Sequence, residues 1–171
     1  MSCIYNTPYS IDCMSEHGGI AKVVARNFSA SNVYTYTAVG DISGGTATDS
    51  WYTIEQRSEQ AELTSEGAFS QENGNFIFPY TLNINLDRAT ADVRTMIYVM
   101  AQKNLEFLVY GNNGNVYSFG SEFGGAYMNS ANPGLGKALT DKAGATVGFL
   151  GKHSSPLRLV TAGFIATQTI A

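Results

Sequence analysis

The chain has 171 residues, enough for one domain with a sizeable core, and it is 44% hydrophobic but only 14% charged. Its formal net charge of -4 argues against a surface built to grip nucleic acid. Ten Tyr, nine Phe and eighteen Gly favour β structure with many bends, and no apolar run approaches the length of a membrane-crossing helix.

The charge content is low beside the roughly 25% of an ordinary soluble domain, which hints at surface hidden in an assembly. The charge is also uneven. Asp41 to Asn75 holds seven acidic residues against one base, a formal -6 that leaves the rest of the chain at +2.

Residues 1–19 are polar and irregular and read as an N-terminal arm. They lack the basic start and apolar centre of a signal peptide, so export is not indicated. Cys3 and Cys13 read as free thiols, and with His17 they lack the spacing of a zinc site. "IAKVVARNF" from Ile20 suits a first strand, residues 40–50 suit a loop, and "WYTIEQ" from Trp51 suits another strand. "AELTSEGAF" alternates weakly. "FIFPYTLNINL" alternates strongly: Phe76, Phe78, Tyr80, Leu82, Ile84 and Leu86 share one face. Pro79 lacks an N–H for the ladder, so this strand has an edge or a bulge there. With Asn73-Gly74 as its tip, 59–86 reads as one long acidic hairpin.

The period then changes. Ala89, Val93, Met96, Ile97 and Met100 follow helical spacing, so 87–103 is expected as a helix, with Asp87 as N-cap and Lys103 at the end that favours a cation. "LEFLVY" and "NVYSFG" pair across Asn113-Gly114, a type I′ candidate. From Gly120 to Gly136 the glycines suggest a long loop. "ATVGFLG" and "PLRLVT" suggest two more strands, and "GFIATQTIA" a last one. The fold class expected is mainly β, an antiparallel sandwich or barrel with one inserted helix, in a single domain over residues 1–171.

No motif carries chemistry. "GLGKAL" has Ala138 where a phosphate loop needs Ser or Thr, and Ala131 where it needs its first Gly. There is no Gly-x-Ser-x-Gly elbow. His17 and His153 read as loop residues. Glu55, Glu59, Glu62 and Glu66 read as a solvated face or an acidic channel wall more readily than as a glycosidase pair. Trp51 with Tyr52 suits core or interface packing, with a stacking platform for a sugar as the alternative. No enzyme activity, cofactor or metal is expected.

The order of these elements is the more specific signal. "CMSEHGGIAKVVARNF", "WYTIEQRSEQAELTSEG", "NGNFIFPYTLNINL", the capped helix, "LEFLVYGNNGNVYSFG" and "SANPGLGKALTDKAGATVGFLG" follow one another over nearly the whole chain. This order resembles the tail tube proteins of long-tailed bacteriophages, of the kind found in phages and prophages of Bacteroidetes. The resemblance rests on Cys13 and Gly18-Gly19-Ile20 at the first strand, Asn112 to Gly120 at the hairpin, and Gly136 through Asp141, Gly144 and Phe149 before a later strand.

The resemblance implies a non-enzymatic virion protein, made in the host bacterial cytoplasm and residing in the tail. Its copies would form hexameric rings that stack into a tube, with DNA passing through the lumen at ejection without specific binding. Its partners would be itself and other tail proteins, with no membrane. A tail terminator, a connector or a carbohydrate-binding sandwich at a tail tip are the alternatives. Candidate subunit contacts on the hairpin are Glu59, Glu62, Leu63, Glu66, Phe69 and Glu72, with Asn73 and Gly74 at its tip and Pro79 behind them. Phe123 and Tyr127 are the candidates in the glycine-rich segment.

Overall fold

A computed structural model describes residues 18–46, 49–57, 59–70, 72, 74–88, 90–135 and 143–171. The arm through His17, both cysteines, Asn73 and the Gly136 to Asp141 motif lie outside the described residues.

Two antiparallel sheets face each other. The first has the order β4-β1-β8-β9, built from β1 (Ile20–Asn27), β4 (Tyr52–Ile54), β8 (Leu105–Gly111) and β9 (Val116–Phe119). The second has the order β10-β11-β7-β5, built from β5 (Glu62–Ser65), β7 (Asn75–Leu86), β10 (Tyr127–Gly134) and β11 (Gly144–His153), with β6 (Ala68–Ser70) pairing β7 further along. A separate ribbon joins β2 (Val33–Tyr36) to β3 (Ile42–Thr46).

Alternation explains what lies between the sheets. Tyr80, Leu82, Ile84 and Leu86 of β7 meet Val23 and Ala25 of β1, Leu105, Phe107 and Val109 of β8, and Val147 and Phe149 of β11. Phe107 packs against Phe149 with the rings tilted by 55° and 4.7 Å between centroids. The first sheet is also covered on its other face. Val24, Leu108 and Val116 pack there against Ile42, Trp51, Val160 and Phe164. With cover on both sides, the middle of β8 is buried at successive residues, Leu105 to Val109, instead of every second one.

The helix α1 (Ala91–Gln102) is shorter than 87–103. Its N-cap is Thr90, whose side chain accepts from the Val93 N–H, and not Asp87. Asp87 instead pairs with Arg57. Val93, Met96, Ile97 and Met100 turn into the core, and α1 closes the end of the sandwich at Leu86. A second helix, α2 (Ala162–Ala166), is capped by Thr161 and stands where a last strand was expected. It carries Phe164 onto Tyr34, and only the end of the expected strand pairs: Ile170 bridges Trp51, with Trp51 N–H donating to Thr169 O, Thr53 N–H to Ala171 O and Ala171 N–H to Trp51 O.

Four further expectations are corrected. Residues 40–50 contain β3, whose partner across the ribbon is β2. "PLRLVT" forms only isolated bridges at Leu159 and Val160. At the 111–115 hairpin only Gly114 takes a positive φ, 82°, with Gly114 N–H donating to Gly111 O and Gly111 N–H to Asn115 O. That is a type I turn with a glycine bulge, not type I′. In the stretch expected as a loop from Gly120, a short turn is followed by β10, which runs to Gly134.

Candidate functional site

β7 is longer than the sandwich that it crosses. The last of its residues paired with β11 is Phe78, opposite His153, so Asn75 to Ile77 run past the end of that pairing. Only β6 accompanies them, at Ala68↔Ile77, Phe69↔Phe76 and Ser70↔Asn75. The apolar face continues into the open. Tyr80 to Leu86 are buried at every second residue, whereas Phe76 is 62% exposed and Phe69 63% exposed. Phe69 meets Phe76 and Phe78 edge to face at 5.6 and 5.9 Å, so the projecting hairpin carries its own small aromatic cluster.

The register explains why the hairpin is in two parts. β5 and β6 meet β7 in one continuous register, and the break between them falls at Glu66 and Gly67, opposite Pro79 and Phe78. Glu66 N–H donates to Pro79 O at 3.3 Å. Pro79 has no N–H to return, so the ladder lapses at the place the sequence marks.

Glu59, Glu62, Glu66 and Glu72 are exposed along this element, and Gly74 is exposed at its tip. Leu63 is half-buried against the core, which makes it part of the body and not of the projection. Glu59 holds a positive φ of 62°. At the other edge of the same sheet, β10 pairs among the described residues with β11 alone, and all but Met128 of its residues are exposed. Tyr127 begins this edge, and Phe123, 65% exposed with φ 50°, crowns the turn before it. The structure thus brings the hairpin residues together on one edge and Phe123 with Tyr127 on the opposite one.

A third surface had no signal in the sequence. Between α1 and β4 runs an apolar groove of about 430 Å³ lined by Tyr52, Ile54, Met96, Val99, Met100 and Leu105, with Arg26 in its wall. Tyr52 and Val99 are exposed at its rim.

Two polar clusters are buried. Arg26 and Glu106 are direct cross-strand partners on the face covered by the β2–β3 ribbon. Arg26 Nε donates to Glu106 Oε2 at 2.6 Å, and the Tyr34 hydroxyl donates to the same oxygen at 2.7 Å. The guanidinium lies 4.1 Å over the Trp51 ring. Burial drives the Tyr34 hydroxyl pKa well up, and the Glu106 carboxylate adds to the rise. Trp51 is 2% exposed and offers no face to a sugar.

The second cluster holds the 120–125 turn. His153 ends β11 inside the core, where its Nε2 accepts from the Gly120 N–H at 2.9 Å; it is not a loop residue. Burial pushes its pKa down to about 4. Glu122 accepts from Ser154 N–H and hydroxyl, both at 2.8 Å, and pairs with Arg158. Burial works to raise the Glu122 carboxyl, but these donors outweigh it and hold it below the usual carboxylate range. Arg158 also donates to Gly40 O and lies over Tyr36, tying the ribbon to this turn. The charged side chains of both clusters are spent on hydrogen bonds and ion pairs within the fold.

Among the described residues no group of three or more His, Cys, Asp and Glu is placed to hold a metal ion, and no helix is long and apolar enough to cross a membrane. Comparison with family models, with curated proteins and with solved structures gives no match.

Proposed function

We propose that this chain is a non-enzymatic, self-assembling structural subunit, and specifically a tail tube protein of a long-tailed phage. The observation that carries the reading is the second sheet. Among the described residues it has no partner strand at either edge, along β10 or along the β5–β6 side, and one edge projects as a hairpin with exposed aromatic residues. Unpaired edges of this length template pairing with another chain unless something blunts them. β10, "YMNSANPG", has no Lys, Arg, Asp or Glu; what interrupts its edge is a register shift between Met128 and Ser130 and Pro133 near its end, which leaves Ser130 to Asn132 as the regular stretch open to pairing.

Two unlike edges on one sheet pair head to tail, which closes into a ring when the rotation allows. The exposed glutamates of 59–86 then offer a negative wall, and such a wall repels phosphates so that DNA slides past instead of sticking. The buried polar clusters fit the same reading: they fasten the ribbon and the turn to the sheets without forming a reactive site. A terminator or connector shares the ring contact but lacks the stacking one.

The test is sedimentation and negative-stain electron microscopy of the purified protein. Stacked rings support the tube reading, single closed rings favour a terminator, and a monomer at every concentration refutes assembly.

A further inference from the structure

The turn from Gly120 to Gly125 is fastened to the end of β11 on one side by a buried imidazole. His153 is 1% exposed, and its Nε2 accepts from the Gly120 N–H at 2.9 Å. An imidazole that accepts at Nε2 is neutral, so protonation removes the acceptor and sets two N–H groups against each other. The ring has no water to turn to, since Phe119 and the edge-on Tyr80 pack around it at 6.4 and 5.3 Å between centroids.

The titratable and charged groups facing His153 are Glu122 of the turn, Arg158 and the Tyr80 phenol. Burial opposes the charged ring most, the Glu122 carboxylate favours it and Arg158 opposes it. The Tyr80 hydroxyl is engaged with Ser155 O and the Leu157 N–H, and burial raises its pKa, so it stays neutral. His153 Nδ1 and Ser121 Oγ are buried and find no hydrogen-bond partner among the described residues, and lifting the turn lets water reach both. Glycines stand at both ends of the turn, Gly120 with φ 79° and Gly125 with φ 89°. Beyond them Ala126 is locked to Leu105 by two hydrogen bonds of 2.8 Å, which confines any opening to the turn.

We propose that the 120–125 turn is a proton-operated latch: protonation of His153 frees Gly120 and lifts the turn, with Phe123 at its crest, off the end of β11 while the two sheets stay closed. The bonds from Glu122 to Ser154 and Arg158 keep the latch shut at neutral pH. The latch does not depend on self-assembly, although it moves a surface beside the β10 edge.

The test is amide hydrogen exchange by NMR on the unaltered chain at pH 7 and pH 5, each rate divided by the intrinsic rate at that pH. Glu122 is held below the usual carboxylate range and stays ionised in this window, so His153 is the member of the cluster that titrates. With a closed-state pKa of about 4 against ~6.5 for a free ring, protection of the Gly120 amide is expected to fall about 20-fold. The Phe107 and Val109 amides of β8 are expected to keep theirs, and the His153 imidazole shift should titrate together with the Gly120 amide. In His153→Gln the fall at Gly120 should vanish.

Gly120 protection that falls in step with Phe107 would mean that acid opens the whole sandwich, and would overturn the latch. Protection that holds unchanged to pH 5, or that falls alike in His153→Gln, would overturn it too.

Discussion

Replacing Glu106 by Gln tests what holds the ribbon and the first sheet together. Arg26 and Glu106 are 2% and 1% exposed, so neither charge has water to fall back on. Glu106 Oε2 takes both the Arg26 and the Tyr34 donors, while Arg26 Nη1 and Glu106 Oε1 find no hydrogen-bond partner among the described residues. The pair is thus tight but incompletely satisfied. Removing one charge strands the other in a dry site, a loss of about 3–5 kcal/mol. In a chain of this size that lowers the melting temperature by roughly 10 °C. Replacing the whole cluster at once, with Arg26→Met, Tyr34→Phe and Glu106→Leu, leaves no buried charge or orphaned hydroxyl. Most of the loss should return. Thermal melts by circular dichroism at pH 7, with the Arg26→Met and Glu106→Gln double-mutant cycle, measure the coupling. A Glu106→Gln protein within about 1 kcal/mol of the unaltered chain would refute the reasoning, because that is the scale of an exposed ion pair.

Acid should weaken the fold through His153. Its folded pKa of about 4 lies below its ordinary value, so the neutral form is the folded one. Its contribution is present above pH ~6.5 and is lost as pH falls toward 4, by up to roughly 3 kcal/mol. Urea melts across that range should show the slope, and His153→Gln should flatten it. Below that window protonation of Glu122, whose carboxyl is held low, adds a further loss. Gly120→Ala should cost about 2 kcal/mol or more, since Gly120 has φ 79° and a Cβ would stand 2.6 Å from Leu105 O. A urea midpoint that does not move would contradict it. Asn132→Lys on the open edge of β10 should leave monomer stability within about 0.5 kcal/mol yet reduce pelletable assembly. Unchanged assembly would exclude β10 from the contact.

The sequence was most readable where one face is buried and the other is wet. β7 shows this: its alternation marked the strand and its direction into the core, whereas the edge or bulge expected at Pro79 is neither, since β7 keeps partners on both sides there and only the β5–β6 ladder has a gap. The helix was legible from Val93, Met96 and Met100, but its start was not. Asp87 and Thr90 are both good capping residues, and Asp87 is claimed by Arg57, a partner thirty residues away that no local pattern announces. β10 left no trace because Met128 is the one residue it packs against the core, so "YMNSANPG" has almost nothing to alternate between. β3 is rich in glycine, and α2 spans one turn and a half, too short to show a period. His153 looked like a loop residue because a single imidazole carries no periodic signal; its burial comes from Phe119 and Tyr80 packing around it. Among the candidate surfaces the hairpin was legible, since 59–86 is acidic and ends in apolar residues. The groove was not, because it exists only where α1 comes to lie beside β4.

The central claim is that copies of this chain assemble through the open edges and the projecting hairpin. Negative-stain electron microscopy of the unaltered protein, concentrated at neutral pH, tests it most directly. Hollow tubes of uniform width are the expected result. A field of single particles of monomer size, matched by a monomer in sedimentation at every concentration, would contradict it.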